Sequence, residues 1–175
     1  MMEIKIHPVR SRDFKNALKL NRNMYRESHS DPNFGDYLFS KEPSIDRMKT
    51  WFDTLIKDTK KKDAIYFIAE VDGDVAGQCF VRRDTPGSEL SHIGIFSILV
   101  DKKYRKRGIG GKLLDSAIKA SRHRFEILHL RVFKTNLIAK HLYRSRGFKS
   151  FGVAPGFIKR GKRYIDREYM YLKLK

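Results

Sequence analysis

At 175 residues, 41% hydrophobic and 33% charged, the chain suits one folded domain over residues 1–175 and excludes an intrinsically disordered polymer. A single cysteine, Cys79, excludes a disulfide framework and a cysteine-based zinc site, and no metal is expected. The net charge of +18 is unevenly held: residues 1–100 carry 16 Lys/Arg against 15 Asp/Glu, residues 101–175 carry 22 against 5. An anionic partner is therefore expected for the C-terminal half, whether a phosphorylated small molecule, RNA or an acidic protein. No run approaches the roughly 18 apolar residues of a membrane span, and the start Met1-Met2-Glu3-Ile4-Lys5 lacks a signal-peptide stretch. A cytoplasmic location without a membrane partner is expected.

Glu3–Val9 alternates as a short strand, and Arg12–Arg26 places Phe14, Leu18 and Tyr25 at helical spacing. Asp31–Pro43, punctuated by Pro32, Gly35 and Pro43, predicts a loop. Ser44 can cap a helix running to about Lys60, with Met48, Trp51, Phe52 and Leu55 on its apolar side. Ala64–Val71 and Val75–Arg83 flank Asp72-Gly73-Asp74, whose Asp-Gly pair favours an antiparallel hairpin. Ile93–Val100 is the next strand, and Lys112–Ala120 shows Leu113, Leu114, Ala117 and Ile118 on one helical face. Ile127–Phe133 predicts a strand, Asn136–Ser145 a helix stopped at Gly147, and Phe148–Val153 and Tyr164–Leu174 two further strands.

Between the strand ending at Val100 and the helix stands Arg105-Lys106-Arg107-Gly108-Ile109-Gly110-Gly111-Lys112. Glycines let a backbone approach a ligand closely, and a helix start offers unpaired N–H groups at the positive end of its dipole. Such a turn seats a pyrophosphate. The dinucleotide fingerprint fails at its last glycine, which is Leu113, and a nucleotide P-loop lacks its hydroxyl, because Leu113 also follows Lys112.

The segment from Ile98 to Leu114 resembles the central motif, Arg/Gln-x-x-Gly-x-Gly/Ala between a strand and a helix, of the GNAT superfamily of acetyl-coenzyme A dependent N-acetyltransferases. About 25 residues later, Asn136-x-x-Ala139-x-x-Leu142-Tyr143-x-x-x-Gly147-Phe148 is similar to the family's second motif. The resemblance implies an α/β (α+β) fold: one domain with a central, mixed and mostly antiparallel sheet, flanking helices and a strand-turn-helix site for acetyl-coenzyme A. It also implies that backbone groups of Ile98, Leu99 and Val100 meet the pantetheine arm, and that amides from Lys106 through Arg107, Gly108, Ile109 and Gly110 to Gly111 bind the pyrophosphate. Arg105 and Lys112 would add charge, Asn136 a hydrogen bond, Ala139 space, and Tyr143 a group near the sulfur.

An alkyl ammonium is mostly charged at neutral pH, so acetyl transfer needs a base or a proton-carrying water. Tyr143 is the expected general acid, and the resemblance adds an exposed N–H of Ile93–Val100 as oxyanion donor. Glu70, Glu89, His92 and Ser97 are candidates for handling the amine's proton. Tyr25, Asp36 and Tyr37 are expected on the acceptor wall, opposite a closing hairpin Pro155–Asp166. The acceptor stays open among small amines, amino acids and protein amino groups, as does an oligomer. A nucleic-acid- or ribosome-associated role on the same fold is the alternative that the basic half raises.

Overall fold

The computed structural model describes residues 3–31 and 41–175. In chain order the elements are β1 Ile4–Pro8, α1 Phe14–Ser30, α2 Ile45–Lys60, β2 Ala64–Val71, β3 Asp74–Arg83, β4 Ile93–Val100, α3 Ile109–Ser121, β5 Ile127–Phe133, α4 Leu137–Arg144, β6 Lys149–Arg160 and β7 Arg163–Lys173. The strands form one seven-stranded sheet in the order β1-β2-β3-β4-β5-β7-β6. Every neighbouring pair is antiparallel except β4 and β5. A parallel pair needs a crossover, and α3 supplies it.

Local chemistry explains most boundaries. Asp72 and Gly73 both take left-handed φ, 51° and 82°, as a tight hairpin between right-twisted strands requires. Ser44 caps α2 by accepting from the Arg47 N–H at 3.2 Å. The buried faces of α1 and α2 (Leu20, Met24, Phe52, Leu55) pack with Tyr66, Ile68 and Val75 on one side of the sheet. Leu113, Leu114 and Ala117 of α3 and Tyr143 of α4 pack with Phe96, Leu128, Leu130 and Met170 on the other.

Three expectations are corrected. The helix expected from Lys112 begins at Ile109, because Gly110 and Gly111 lie inside its first turn. The helix expected to end at Arg26 runs on to Ser30. The strand expected to stop at Val153 continues to Arg160, although Pro155 and Gly156 lie in its path. Register shifts at Ser150/Gly152 and at Ala154/Ile158 absorb these poor strand formers as bulges, so the expected hairpin tip narrows to Gly161 and Lys162. Among the described residues no helix is long and apolar enough to cross a membrane.

Candidate active site

The parallel pair β4/β5 is matched only at Ile93↔Ile127, Gly94↔Leu128 and Ile95↔His129. Beyond Ile95 the two strands have no common rungs, although β4 continues to Val100 and β5 to Phe133. Asp101 N–H donates to the Ala76 carbonyl of β3, and Ile93 C=O accepts from Asp84. Backbone direction alternates along a strand, so Ser97 and Leu99 also turn to β3, while Ile98 and Val100 turn to the side β5 has left. Two diverging parallel strands open a cleft at their C-terminal ends, which is where open α/β sheets bind ligands.

The loop leaving β4 lies at that cleft. Lys106 and Gly108 take left-handed φ, 59° and 78°, and two such residues so close together curl successive amides toward one point. A Cβ on Gly108 would meet nothing within 4 Å, so its glycine is required by φ rather than by space. Lys112 N–H closes the first turn of α3 on the Gly108 carbonyl at 3.1 Å. The amides of Ile109, Gly110 and Gly111 then have no carbonyl one turn earlier and point out of the helix start. Gly110 has a packing reason as well: a Cβ there would stand 3.2 Å from Leu142 of α4.

Arg105 has a different duty from the one expected. Its guanidinium forks onto Glu27 of α1, at 2.5 Å and 2.6 Å, while its Nε donates to the Val100 carbonyl at 3.1 Å. The charge is spent within the protein, in a bidentate pair that ties α1 to the loop. Lys106, Arg107 and Lys112 stay exposed, with the Arg107 guanidinium 5.9 Å from the Tyr104 ring centre.

At the second motif, Asn136 Oδ1 accepts from the Ala139 N–H at 3.1 Å, so this side chain caps α4. Ala139 packs against the core on the α3 side. Tyr143 is 6% exposed, its ring edge-on to Phe96 at 6.1 Å between centres. Phe96 is the first residue beyond the last rung of β4 and β5, which puts the phenol where the strands part. Underneath, Lys140 Nζ bonds Glu168 of β7 at 2.7 Å and the Lys134 carbonyl at 3.1 Å, and Arg144 reaches Glu168 at 3.3 Å. Burial alone would raise the Glu168 pKa, but Lys140 above all, with a hydrogen bond from Ser150 and the charge of Arg144, reverses that and holds it below the usual carboxylate value.

The base candidates separate cleanly. Glu70 pairs with His7 and Arg10 near the β1 edge, 3.4 Å and 3.5 Å away, two strands from the cleft. Glu89 and His92 sit before β4, at its paired end, with His92 Nδ1 on the Glu89 carbonyl. Only Ser97 lies on the diverging part of β4, on the side facing α1. Tyr25 lies on the last turns of α1, packed on His29 at 4.2 Å between rings, and Asp36 and Tyr37 fall outside the described residues. Sequence reasoning missed Glu27, Arg160 and Glu168. Arg160 of β6 donates to the Ser28 carbonyl and lies 5.4 Å from the Phe133 ring, so α1 is tied on one side to the loop after β4 and on the other to β6. No sequence signal marks pairs so far apart in the chain.

The profile of the acetyltransferase (GNAT) family matches residues 22–148. The chain belongs to that family. Acetyl-coenzyme A is the family's co-substrate, and this acetyltransferase is an acetyl-coenzyme A dependent acyltransferase. It is 32% identical over 126 residues to an N-alpha-acetyltransferase of Sulfurisphaera tokodaii, covering 67% of this chain and 72% of the relative. An L-amino acid N-acetyltransferase of Escherichia coli is 30% identical over 106 residues, 59% of this chain and 64% of that one. The fold of an N-acetyltransferase from Staphylococcus aureus superposes with a TM-score of 0.84 at 22% identity over 99% of both chains. A phosphinothricin acetyltransferase from Sinorhizobium meliloti, solved with acetyl-coenzyme A, gives 0.83 at 19% identity, covering 97% of this chain and 88% of its own.

The residues of the cleft suit that co-substrate. An extended strand edge that β5 no longer pairs fits a pantetheine arm, and a curled loop before a helix start, ringed by exposed cations, fits a pyrophosphate.

Proposed function

We propose that this acetyltransferase moves an acetyl group to an α-amino group by direct attack in a ternary complex, with Tyr143 as general acid. The observation that carries the reading is the phenol at the point where β4 and β5 part. When bound, acetyl-coenzyme A supplies the thioester that is attacked. Ile98 and Val100 hold its arm along the open edge of β4, and the amides of residues 106–111 take its phosphates, with Lys106, Arg107 and Lys112 adding charge. The Ile98 N–H, turned into the cleft, stabilises negative charge developing on the carbonyl oxygen. The Tyr143 hydroxyl gives its proton to the departing sulfur. Asn136 and Ala139 act through α4: one caps it, the other packs it, and both hold Tyr143 in place.

The acceptor follows from the proton that must be lost. At pH 7 the α-amino group of a peptide, with pKa near 7.8, is roughly 14% neutral, against about 0.04% for a lysine amine. Of the four candidates for handling that proton only Ser97 lies at the cleft, and a hydroxyl orders a water but is too weak a base to strip an alkyl ammonium. An α-amine needs little more than that water. The two relatives named for α-amino acceptors support the same choice.

Purified protein with acetyl-coenzyme A should therefore acetylate peptide N-termini, read by mass spectrometry, in preference to polyamines and to lysine side chains of N-blocked peptides. Product on the lysine side chains or polyamines alone would refute the α-amine assignment.

A further inference from the structure

Two arginines reach consecutive residues of one helix turn from opposite sides of the cleft. Past the last rung, Ile95↔His129, β4 continues to Val100 and β5 to Phe133. That leaves about 17 Å and about 13 Å of strand without a common rung, so the sheet itself does not set how far apart the two ends stand. The end of α1 spans that interval. At the β4 end, Arg105 donates through Nε to the Val100 carbonyl at 3.1 Å and forks onto Glu27 at 2.5 Å and 2.6 Å, with Met24 Sδ 3.7 Å from its Nη2. At the β5 end, Arg160 of β6 lies 5.4 Å from the Phe133 ring and donates to the Ser28 carbonyl. Val100 and Phe133 are the last residues of their strands, and Glu27 and Ser28 are neighbours in the chain.

Both contacts have a physical reason. The Glu27 carbonyl accepts from the Asp31 N–H at 2.9 Å, but the residue four on from Ser28 is Pro32, which has no N–H to offer. The Ser28 carbonyl is therefore an orphan at the negative end of the helix dipole, where a guanidinium is favoured. On the other side, the Glu27 and Arg105 side chains are only 16% and 25% exposed, so their bidentate pair is partly shielded from water and holds a fixed geometry.

We propose that Glu27 and Arg160 are positioning residues. They hold the last turn of α1 as a clasp across the open ends of β4 and β5, fixing the width of the cleft so that an amine, and not water, meets the thioester. The proposal rests on the transfer reading and adds to it how the reacting groups are kept in register. Neither side chain belongs to a core cluster, and each acts through α1 rather than on the reacting atoms. In transfer, the amine nitrogen bonds the carbonyl carbon and loses a proton, the C–S bond breaks, and coenzyme A leaves as the thiol. In a cleft held too wide, a water oxygen bonds the same carbon and the C–S bond breaks again, giving acetate, the thiol and a proton to solvent.

The test compares Glu27→Gln, Arg160→Met and their double variant in the full chain. Asn16→Ala is the control, because Asn16 also ties α1 down, on the Gly73 carbonyl at 3.2 Å, but at the turn between β2 and β3. Thiol release and acetylated peptide are measured in the same reaction. Each single variant should lower kcat for peptide acetylation about 10–100-fold, the cost of a misplaced reacting pair, and should release more thiol than acetylated peptide. Wild type and Asn16→Ala should release equal amounts. The double variant should be little worse than either single one, since a clasp opened at one end is already open. Amide hydrogen exchange reads the same link without turnover. Arg160→Met should speed exchange about tenfold at residues 101–108, across the cleft from the substitution, and Glu27→Gln should do so at residues 133–136.

Multiplying losses in the double variant, with thiol and product still equal, would overturn the proposal, and so would exchange changes confined to each substitution's own side of the cleft. The two readings fail separately. Wild type that acetylates no amine would sink the transfer reading and leave the exchange across the cleft to judge the clasp, whereas full transfer in both single variants would sink the clasp alone.

Discussion

The phenol of Tyr143 stands edge-on to Phe96, so Tyr143→Phe keeps the ring packing and removes a single proton donor. We expect kcat to fall by about 10²–10⁴-fold while the affinity for coenzyme A is unchanged; equal loss of both would mean that the residue only shapes the site. Glu168 is the second residue with a sharp prediction. Its carboxylate is 5% exposed and neutralises Lys140, whose side chain is 9% exposed, so Glu168→Gln leaves a buried ammonium without its counter-charge. The expected cost is about 3–5 kcal/mol in urea unfolding at pH 7. Its folded pKa lies below the unfolded value near 4.3, so the folded protein releases this proton more readily. The stabilisation is present above that pH and is lost as pH falls through the folded value, and wild type and variant should converge there.

At the scale of elements, the loop from Val100 to Ile109 is the proposed pyrophosphate seat. Gly108→Ala forces a side chain into φ +78° and should destabilise by about 1–2 kcal/mol while weakening coenzyme A binding, since the curl that aligns the amides is disturbed. Arg105 and Glu27 should show a coupling energy of about 1–3 kcal/mol in a double-mutant cycle read by thermal or urea unfolding. Additive effects would show that the contact does not join α1 to the loop.

Much of this scale was legible beforehand, because glycine spacing, the Asp72-Gly73 turn and helical periodicity are local signals. The length of β6 was not, because Pro155 and Gly156 normally end strands and the bulges that accommodate them depend on β7. Nor was the duty of Arg105, since its partner lies 78 positions away on a helix whose docking the sequence does not state. That Glu70, Glu89 and His92 lie away from the cleft was not legible for a related reason: a sequence shows strand ends, but sheet order decides which end meets the cleft.

Over the whole molecule, the charge asymmetry divides the labour. The basic C-terminal half supplies the cations around the helix start of α3 and along β6, while the near-neutral N-terminal half supplies α1 and α2 over the opposite side of the sheet. Coenzyme A binding should weaken as salt rises, because Lys106, Arg107 and Lys112 are exposed and screened within about 10 Å at 0.1 M salt; isothermal titration across a salt series checks this. The most direct measurement of the central claim is amide hydrogen exchange with and without acetyl-coenzyme A. Protection confined to peptides spanning residues 96–101 and 106–112, with β6 and β7 unchanged, is the predicted result. Protection elsewhere, with those two segments exchanging as before, would contradict the placement of the co-substrate between β4 and β5.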